Sequence, residues 1–103
     1  MASTLDLSLY QFWYLAAGFL MGNGVPHFLF GRAGMLFRSP FGQRSSPRTN
    51  ALWGFSNFVM AAVIISVLAF LNLISNDSIT ILLLGFLLMM LMFGMRIGRF
   101  LND

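Results

Sequence analysis

The chain has 103 residues; 58% are hydrophobic, 9% are charged, and the mean hydropathy is +0.82. A soluble domain carries about 25% charged residues, and a chain this short has too poor a volume-to-surface ratio to hide so much apolar surface from water. The absence of cysteine excludes disulfides, zinc–thiolate and iron–sulfur sites. The net charge of +3 comes from six arginines and three aspartates, with no Lys or Glu, and in so apolar a chain it points to membrane orientation rather than to nucleic acid.

A membrane-crossing helix needs about 20 mostly apolar residues. Three stretches qualify on inspection: about residues 7–30, 51–74 and 79–101. The predicted fold is therefore all-α, an integral membrane bundle of three transmembrane helices in one domain. No basic residue precedes Arg32, so no cleavable signal peptide is expected.

The first span is apolar to about Met21 and then meets Gly22-Asn23-Gly24-Val25-Pro26-His27-Phe28. Pro26 removes an N–H and disfavours helix at Val25. Either the helix kinks there or it ends near Gly22 and the chain crosses the remaining depth irregularly. Irregular backbone at membrane depth survives only under protein or around a wet cavity, so this segment is expected to face protein.

A connecting loop, residues 31–46, is broken by Gly31, Gly34, Pro40 and Gly42 and is not expected to be one continuous helix. Ser46-Pro47 reads as an N-cap followed by proline at the first helical position, which starts the second helix a turn before its apolar run. The second connection, Ser75-Asn76-Asp77-Ser78, is short and polar. It predicts an antiparallel hairpin of spans two and three, with Asp77 or Ser78 capping the third helix.

Arg32, Arg38, Arg44 and Arg48 lie in or beside the first loop, and Arg96 and Arg99 lie at the end of span three. With three crossings these regions share one side, while Asp6 and Asp77 mark the other. Cytoplasmic flanks are enriched in Lys and Arg. The N-terminus is thus predicted outside and the C-terminus inside, as for a multi-pass protein of a plasma membrane, with 31–46 as a cytoplasmic loop. The six arginines are candidate partners of lipid headgroups, and Met35, Leu36, Phe37 and Phe41 interleave with them as in a segment lying on the membrane surface. A plain solvated loop satisfies the orientation rule equally well. Tyr10, Trp13 and Tyr14 fit an outer aromatic belt and Trp53 an inner one.

Asn23 and Asn57 each lie seven residues from the inner ends of their spans, about 10 Å along each helix. Asn50, Gly54, Asn57 and Ala61 recur at one helix face. Asn23, Pro26, His27, Asn50, Trp53, Gly54 and Asn57 are therefore predicted to form a polar cluster on which the first helix docks. His27 has a second reading, as an axial ligand of haem iron or chlorophyll magnesium. A single histidine near the interface more simply hydrogen-bonds, so no cofactor is predicted outright. A Ser56–His27 hydrolytic dyad is disfavoured because Ser56 sits about 100° around the helix from Asn57. No carboxylate falls in the apolar part of any span, which argues against ion-coupled transport. Gly18-x-x-x-Gly22 and Gly94-x-x-x-Gly98 permit close helix approach. Met89, Met90, Met92 and Met95 read as packing rather than a metal site.

Taken together, Asn23-Gly24-Val25-Pro26-His27-Phe28, Ser39-Pro40-Phe41-Gly42, Ser45-Ser46-Pro47, Asn50-Ala51-Leu52-Trp53-Gly54 and Asn57 resemble a family of small uncharacterised bacterial integral membrane proteins. The resemblance covers about residues 22–57. It implies no activity, but it implies that the first loop and its two helix ends form a shared core. The function expected is non-enzymatic: association through helices, as an accessory subunit of a larger membrane complex, respiratory or photosynthetic, or as a homo-oligomer. The alternatives are a haem- or chlorophyll-binding subunit using His27 and a holin-like permeabilising protein. Membrane lipids and other membrane subunits are the expected partners.

Overall fold

The computed structural model describes residues 9–34 and 37–102. Asp6, Met35, Leu36 and Asp103 lie outside the described residues, as do the side chains of Phe37, Arg38, Arg44, Arg96 and Arg99. Three helices carry the architecture: α1 (Leu9–Arg32), α2 (Pro47–Phe70) and α3 (Asn76–Asn102). Between α1 and α2 stand two short strands, β1 (Phe37–Ser39) and β2 (Gly42–Ser45).

The helix α1 runs through the Gly-rich segment without stopping, with Pro26 inside it. Of the two expected alternatives this excludes the one in which the helix ends near Gly22 and the chain continues irregularly. One proline removes only the bond that its own N–H would make to the carbonyl four residues earlier, which belongs to Gly22. The turns on either side keep their hydrogen bonds, and protein covers this stretch: Gly22, Gly24, Pro26 and His27 are all buried. The helix ends where Gly34 takes a left-handed conformation (φ 78°) and its N–H returns to the Gly31 carbonyl at 3.0 Å.

The first loop is not one helix, but it is not featureless either. The strands β1 and β2 pair antiparallel, Phe37 opposite Ser45 and Ser39 opposite Gly42, with an irregularity between. This small sheet is an addition to the all-α expectation. Pro40 sets the turn, the Ser39 hydroxyl accepts from the Phe41 N–H at 3.1 Å, and the Ser45 hydroxyl donates to the Gly42 carbonyl at 2.9 Å. Period-two patterning over three or four residues was too short to read from sequence.

Ser46 caps α2 as predicted, accepting from the Thr49 N–H at 3.1 Å, with Pro47 following at the first helical position. The far end differs from expectation. The helix α2 stops at Phe70, not Ile74, because Asn72 adopts φ 59°. The Asn72 N–H bonds to the Ala69 carbonyl at 3.0 Å and the Leu73 N–H to the Leu68 carbonyl at 2.9 Å, the paired bonds of a Schellman turn. Glycine fits such a position without the steric cost an L side chain meets there. Asn72→Gly is therefore expected to raise stability by about 0.5–1 kcal/mol, and Asn72→Val to lower it by at least as much; detergent-denaturation midpoints measure both.

Helix α3 begins at Asn76, three residues before the expected apolar run, and its cap is Ser75 rather than Asp77 or Ser78. The Ser75 N–H donates to the Ser78 hydroxyl at 3.0 Å, while the Ser75 hydroxyl accepts from the Asp77 N–H at 3.3 Å. This reciprocal arrangement is a capping box with serine in place of the usual Glu or Gln.

In the packed structure α1 lies against both other helices, while α2 and α3 hardly touch. The expected pairing of spans two and three is thus corrected. They run antiparallel through a tight turn but flank α1 instead of packing on each other. Small residues explain this. Gly18 and Gly22 bring α1 onto α3, where a Cβ on Gly18 would strike the Leu82 carbonyl and one on Gly22 would lie 2.8 Å from the Phe86 carbonyl. Gly85 approaches α1 from the other side, against the Leu15 carbonyl. Gly24, Gly31 and Gly54 do the same for α1 and α2. Gly94 has nothing within 4 Å of its notional Cβ, so that half of the second Gly-x-x-x-Gly pattern is not used in this packing.

The body measures 49 × 26 × 18 Å, against about 40–45 Å for a bilayer with its headgroups. Two helices are long and apolar enough to cross a membrane, α2 and residues 76–95 of α3. They are also the most outward-facing, with Phe55, Val63, Val67, Leu83, Leu87 and Leu91 exposed. Helix α1 is equally long but less apolar and falls short of that measure. Its polar residues Gln11 and His27 are buried, and Asn23 is half-buried.

Candidate functional site

The seam between α1 and α2 repeats one device twice. Asn50 and Asn57 on α2 each use the side-chain N–H₂ to bond a carbonyl one turn back on their own helix. Asn57 Nδ2 donates to the Trp53 carbonyl at 2.8 Å, and Asn50 Nδ2 to the Ser46 carbonyl at 3.3 Å. Asn50 Nδ2 reaches the Ser45 carbonyl as well, at 3.2 Å. With the nitrogens committed, both Oδ1 atoms face α1 as acceptors. Asn23 Nδ2 donates to Asn57 Oδ1 at 3.2 Å, and His27 Nδ1 lies 2.9 Å from Asn50 Oδ1. The acceptor role of Asn50 Oδ1 places the His27 proton on Nδ1.

Asn50 and Asn57 are essentially inaccessible, and His27 is 8% exposed. A buried amide in an apolar body costs several kcal/mol if unpaired, so the network satisfies these groups and also fixes the register of α1 on α2. Gly54 lies between the two amides, with the Gly24 carbonyl 2.7 Å from its notional Cβ. Pro26 is buried on the same helix as His27. Phe28 meets Phe58 edge-on at 6.0 Å.

Of the predicted cluster, then, Asn23, His27, Asn50, Gly54 and Asn57 are brought together directly. Trp53 enters through its carbonyl; its ring lies edge-on to Phe41 of the hairpin at 5.6 Å and 82°. The Trp53 indole Nε1 is buried without a hydrogen-bond partner, and among the described residues it is the one such side-chain atom. The Ser56 hydroxyl bonds the Leu52 carbonyl at 2.8 Å and is exposed, so it makes no dyad with His27. An Nδ1-protonated imidazole offers Nε2 as its lone-pair nitrogen, the atom a haem or chlorophyll would engage. The ring is buried where α1 meets Asn50 of α2.

A second polar cluster lies at the other end of α1. Gln11 Nε2 donates to the Ser75 hydroxyl at 2.6 Å, and the Ser78 hydroxyl donates to Gln11 Oε1 at 3.0 Å. Gln11 and Ser78 are both fully buried. The Tyr14 hydroxyl donates to the Leu73 carbonyl at 3.0 Å. Tyr14 is therefore a core residue with Leu68 and Ile81, not the belt residue expected of it. Trp13 is exposed, and Tyr10 is partly so. The sequence reading missed this cluster, yet Gln11, Gly18 and Gly22 share one helix face by the same spacing that linked Asn50 to Asn57. Gln11→Leu is expected to destabilise by about 1 kcal/mol, because the serines keep backbone partners after the amide is lost; thermal unfolding in mild detergent tests this.

The arginines fall at the end of the molecule opposite this second cluster. Arg32 and Arg48 are exposed on the last turn of α1 and the first turn of α2. Those turns touch: a Cβ on Gly31 would lie 2.6 Å from the Pro47 carbonyl. Arg38 and Arg44 stand in β1 and β2, and Arg96 and Arg99 in the closing turns of α3.

Comparison with known proteins finds no matching family model, no similar curated protein and no similar solved structure.

Proposed function

We propose that the chain is a non-enzymatic integral membrane protein that crosses a plasma membrane three times, N-terminus outside, and works by associating with other membrane helices. The arginine distribution supports the orientation. Residues 7–76 contain no acid, and Arg32, Arg38, Arg44 and Arg48 all fall on the side that holds Arg96 and Arg99. The crossing of α1 is supported by its 24-residue length and by the burial of Gln11 and His27.

The observation that carries the associative reading is an apolar groove on the bundle, away from the arginines. The helices α1 and α2 meet through Gly24, Gly31 and Gly54 toward the arginine end, and Tyr10, Trp13, Leu68 and Leu71 line the space at the other. Between them lies an apolar groove of about 640 Å³. Its size and apolar lining suit a helix of a partner subunit laid along it. The motif residues that resemble the small bacterial membrane family fall at the glycine-packed end, away from the groove.

Extraction in a mild detergent, followed by native electrophoresis and mass spectrometry of the resolved bands, tests this. A stable complex with another membrane subunit is expected, and a defined homo-oligomer would make the partner a second copy. A lone monodisperse monomer would contradict the associative reading.

A further inference from the structure

The hairpin is fastened rather than free. Asn50, which holds α1 through His27, also holds the β2 end through the Ser45 and Ser46 carbonyls. Ser45 is buried, and its hydroxyl meets that of Ser39 across the two strands. The loop is thereby pinned over the first turns of α2, with Phe41 at its tip.

Phe41 is 68% exposed, although its ring edge rests on Trp53. A large ring displayed on the loop that joins the helix ends bearing Arg32 and Arg48 is poorly placed for water and well placed for a membrane interface. The charge there is one-sided. No acid occurs between residues 7 and 76, so no carboxylate of these segments can neutralise Arg32, Arg38, Arg44 or Arg48. Beneath Phe41, the Trp53 indole N–H is a buried donor with no acceptor. Such a donor costs roughly a hydrogen bond's worth of desolvation until an acceptor arrives.

We propose that the hairpin, the last turn of α1 and the first turn of α2 form a seat for the phosphodiester headgroup of an anionic lipid in the inner leaflet. Arg32 and Arg48 take the phosphate, Phe41 enters the acyl layer, and the Trp53 indole N–H donates to a headgroup or ester oxygen. Anionic lipid supplies both things the site lacks, negative charge and an oxygen acceptor at interface depth. This inference rests on the membrane-spanning reading, which with its arginine orientation places the hairpin at the inner leaflet.

The test uses the full chain carrying Trp13→Phe, so that Trp53 is the one tryptophan, in nanodiscs of phosphatidylcholine with increasing phosphatidylglycerol. Trp53 emission is expected to shift saturably with phosphatidylglycerol, and native mass spectrometry should show that lipid retained over phosphatidylcholine. Arg32→Gln with Arg48→Gln should raise the fraction needed by tenfold or more, at about fivefold per arginine. Phe41→Ser, which leaves the fastened strands intact, should weaken retention by a smaller factor. Equal retention of the two lipids by well-incorporated protein would overturn the proposal. So would an equal shift produced by soluble glycerol phosphate, or emission indifferent to phosphatidylglycerol, as expected if the arginines serve an acidic protein. Failure to enter nanodiscs at all would instead overturn the membrane-spanning reading, and the proposal with it.

Discussion

Gly54→Val is expected to part α1 from α2 and to destabilise the protein by about 2–4 kcal/mol, combining overpacking with loss of the interhelical hydrogen bonds. The reason is what the new side chain would meet. The Gly24 carbonyl and the Phe28 Cα lie 2.7 and 2.8 Å from the notional Cβ. Both are backbone, so no rotamer change can make room and the helix itself must move. That motion breaks the Asn23–Asn57 and His27–Asn50 bonds on either side. Gly94→Val is the control. Its surroundings are open, and its effect should stay within about 0.5 kcal/mol. Titration from mild detergent into dodecyl sulfate, followed by circular dichroism, reads both.

Asn50→Leu is expected to cost about 1–3 kcal/mol and to loosen the hairpin as well. One side chain bonds His27 and the Ser45 and Ser46 carbonyls, and its loss removes these bonds at a buried seam. The Ser46 carbonyl is better off, because it also accepts the Asn50 backbone N–H at 3.0 Å. Asn57→Leu should cost less, nearer the average of about 0.6 kcal/mol for hydrogen bonds between membrane helices, since Asn23 is only partly buried. Limited chymotrypsin digestion separates the two variants. Cleavage at Phe41 should accelerate in Asn50→Leu and stay unchanged in Asn57→Leu.

The order of these effects explains what was legible in the sequence. Helix-face spacing and equal depth suffice to bring Asn23 and His27 to Asn50, Gly54 and Asn57, because both quantities follow from a rise per residue. The Ser46-Pro47 start of α2 was legible because capping is local chemistry. Termini that depend on a single left-handed residue were not, so Asn72 ended α2 four residues before its apolar run did. Nor was the path of α1 through Pro26, since the loss of one hydrogen bond is decided by the packing around it rather than by the proline. The donor and acceptor roles of the two asparagines needed coordinates. So did the separation of α2 from α3, because hydropathy makes every pair of spans look equally able to pack. Gln11 was overlooked for want of a depth partner. Its partners, Ser75 and Ser78, lie in what reads as a turn and prove to be the cap of α3.

The least apolar helix is the one on which three crossings depend, and its position across the bilayer is directly measurable. The chain has no native cysteine, so single substitutions Ser3→Cys, Ala33→Cys and Asn76→Cys can be probed in intact cells with a membrane-impermeant maleimide. Ser3→Cys and Asn76→Cys should label at once, and Ala33→Cys only after permeabilisation. Labelling of Ala33→Cys from outside, or protection of Ser3→Cys together with Ala33→Cys, would contradict the account.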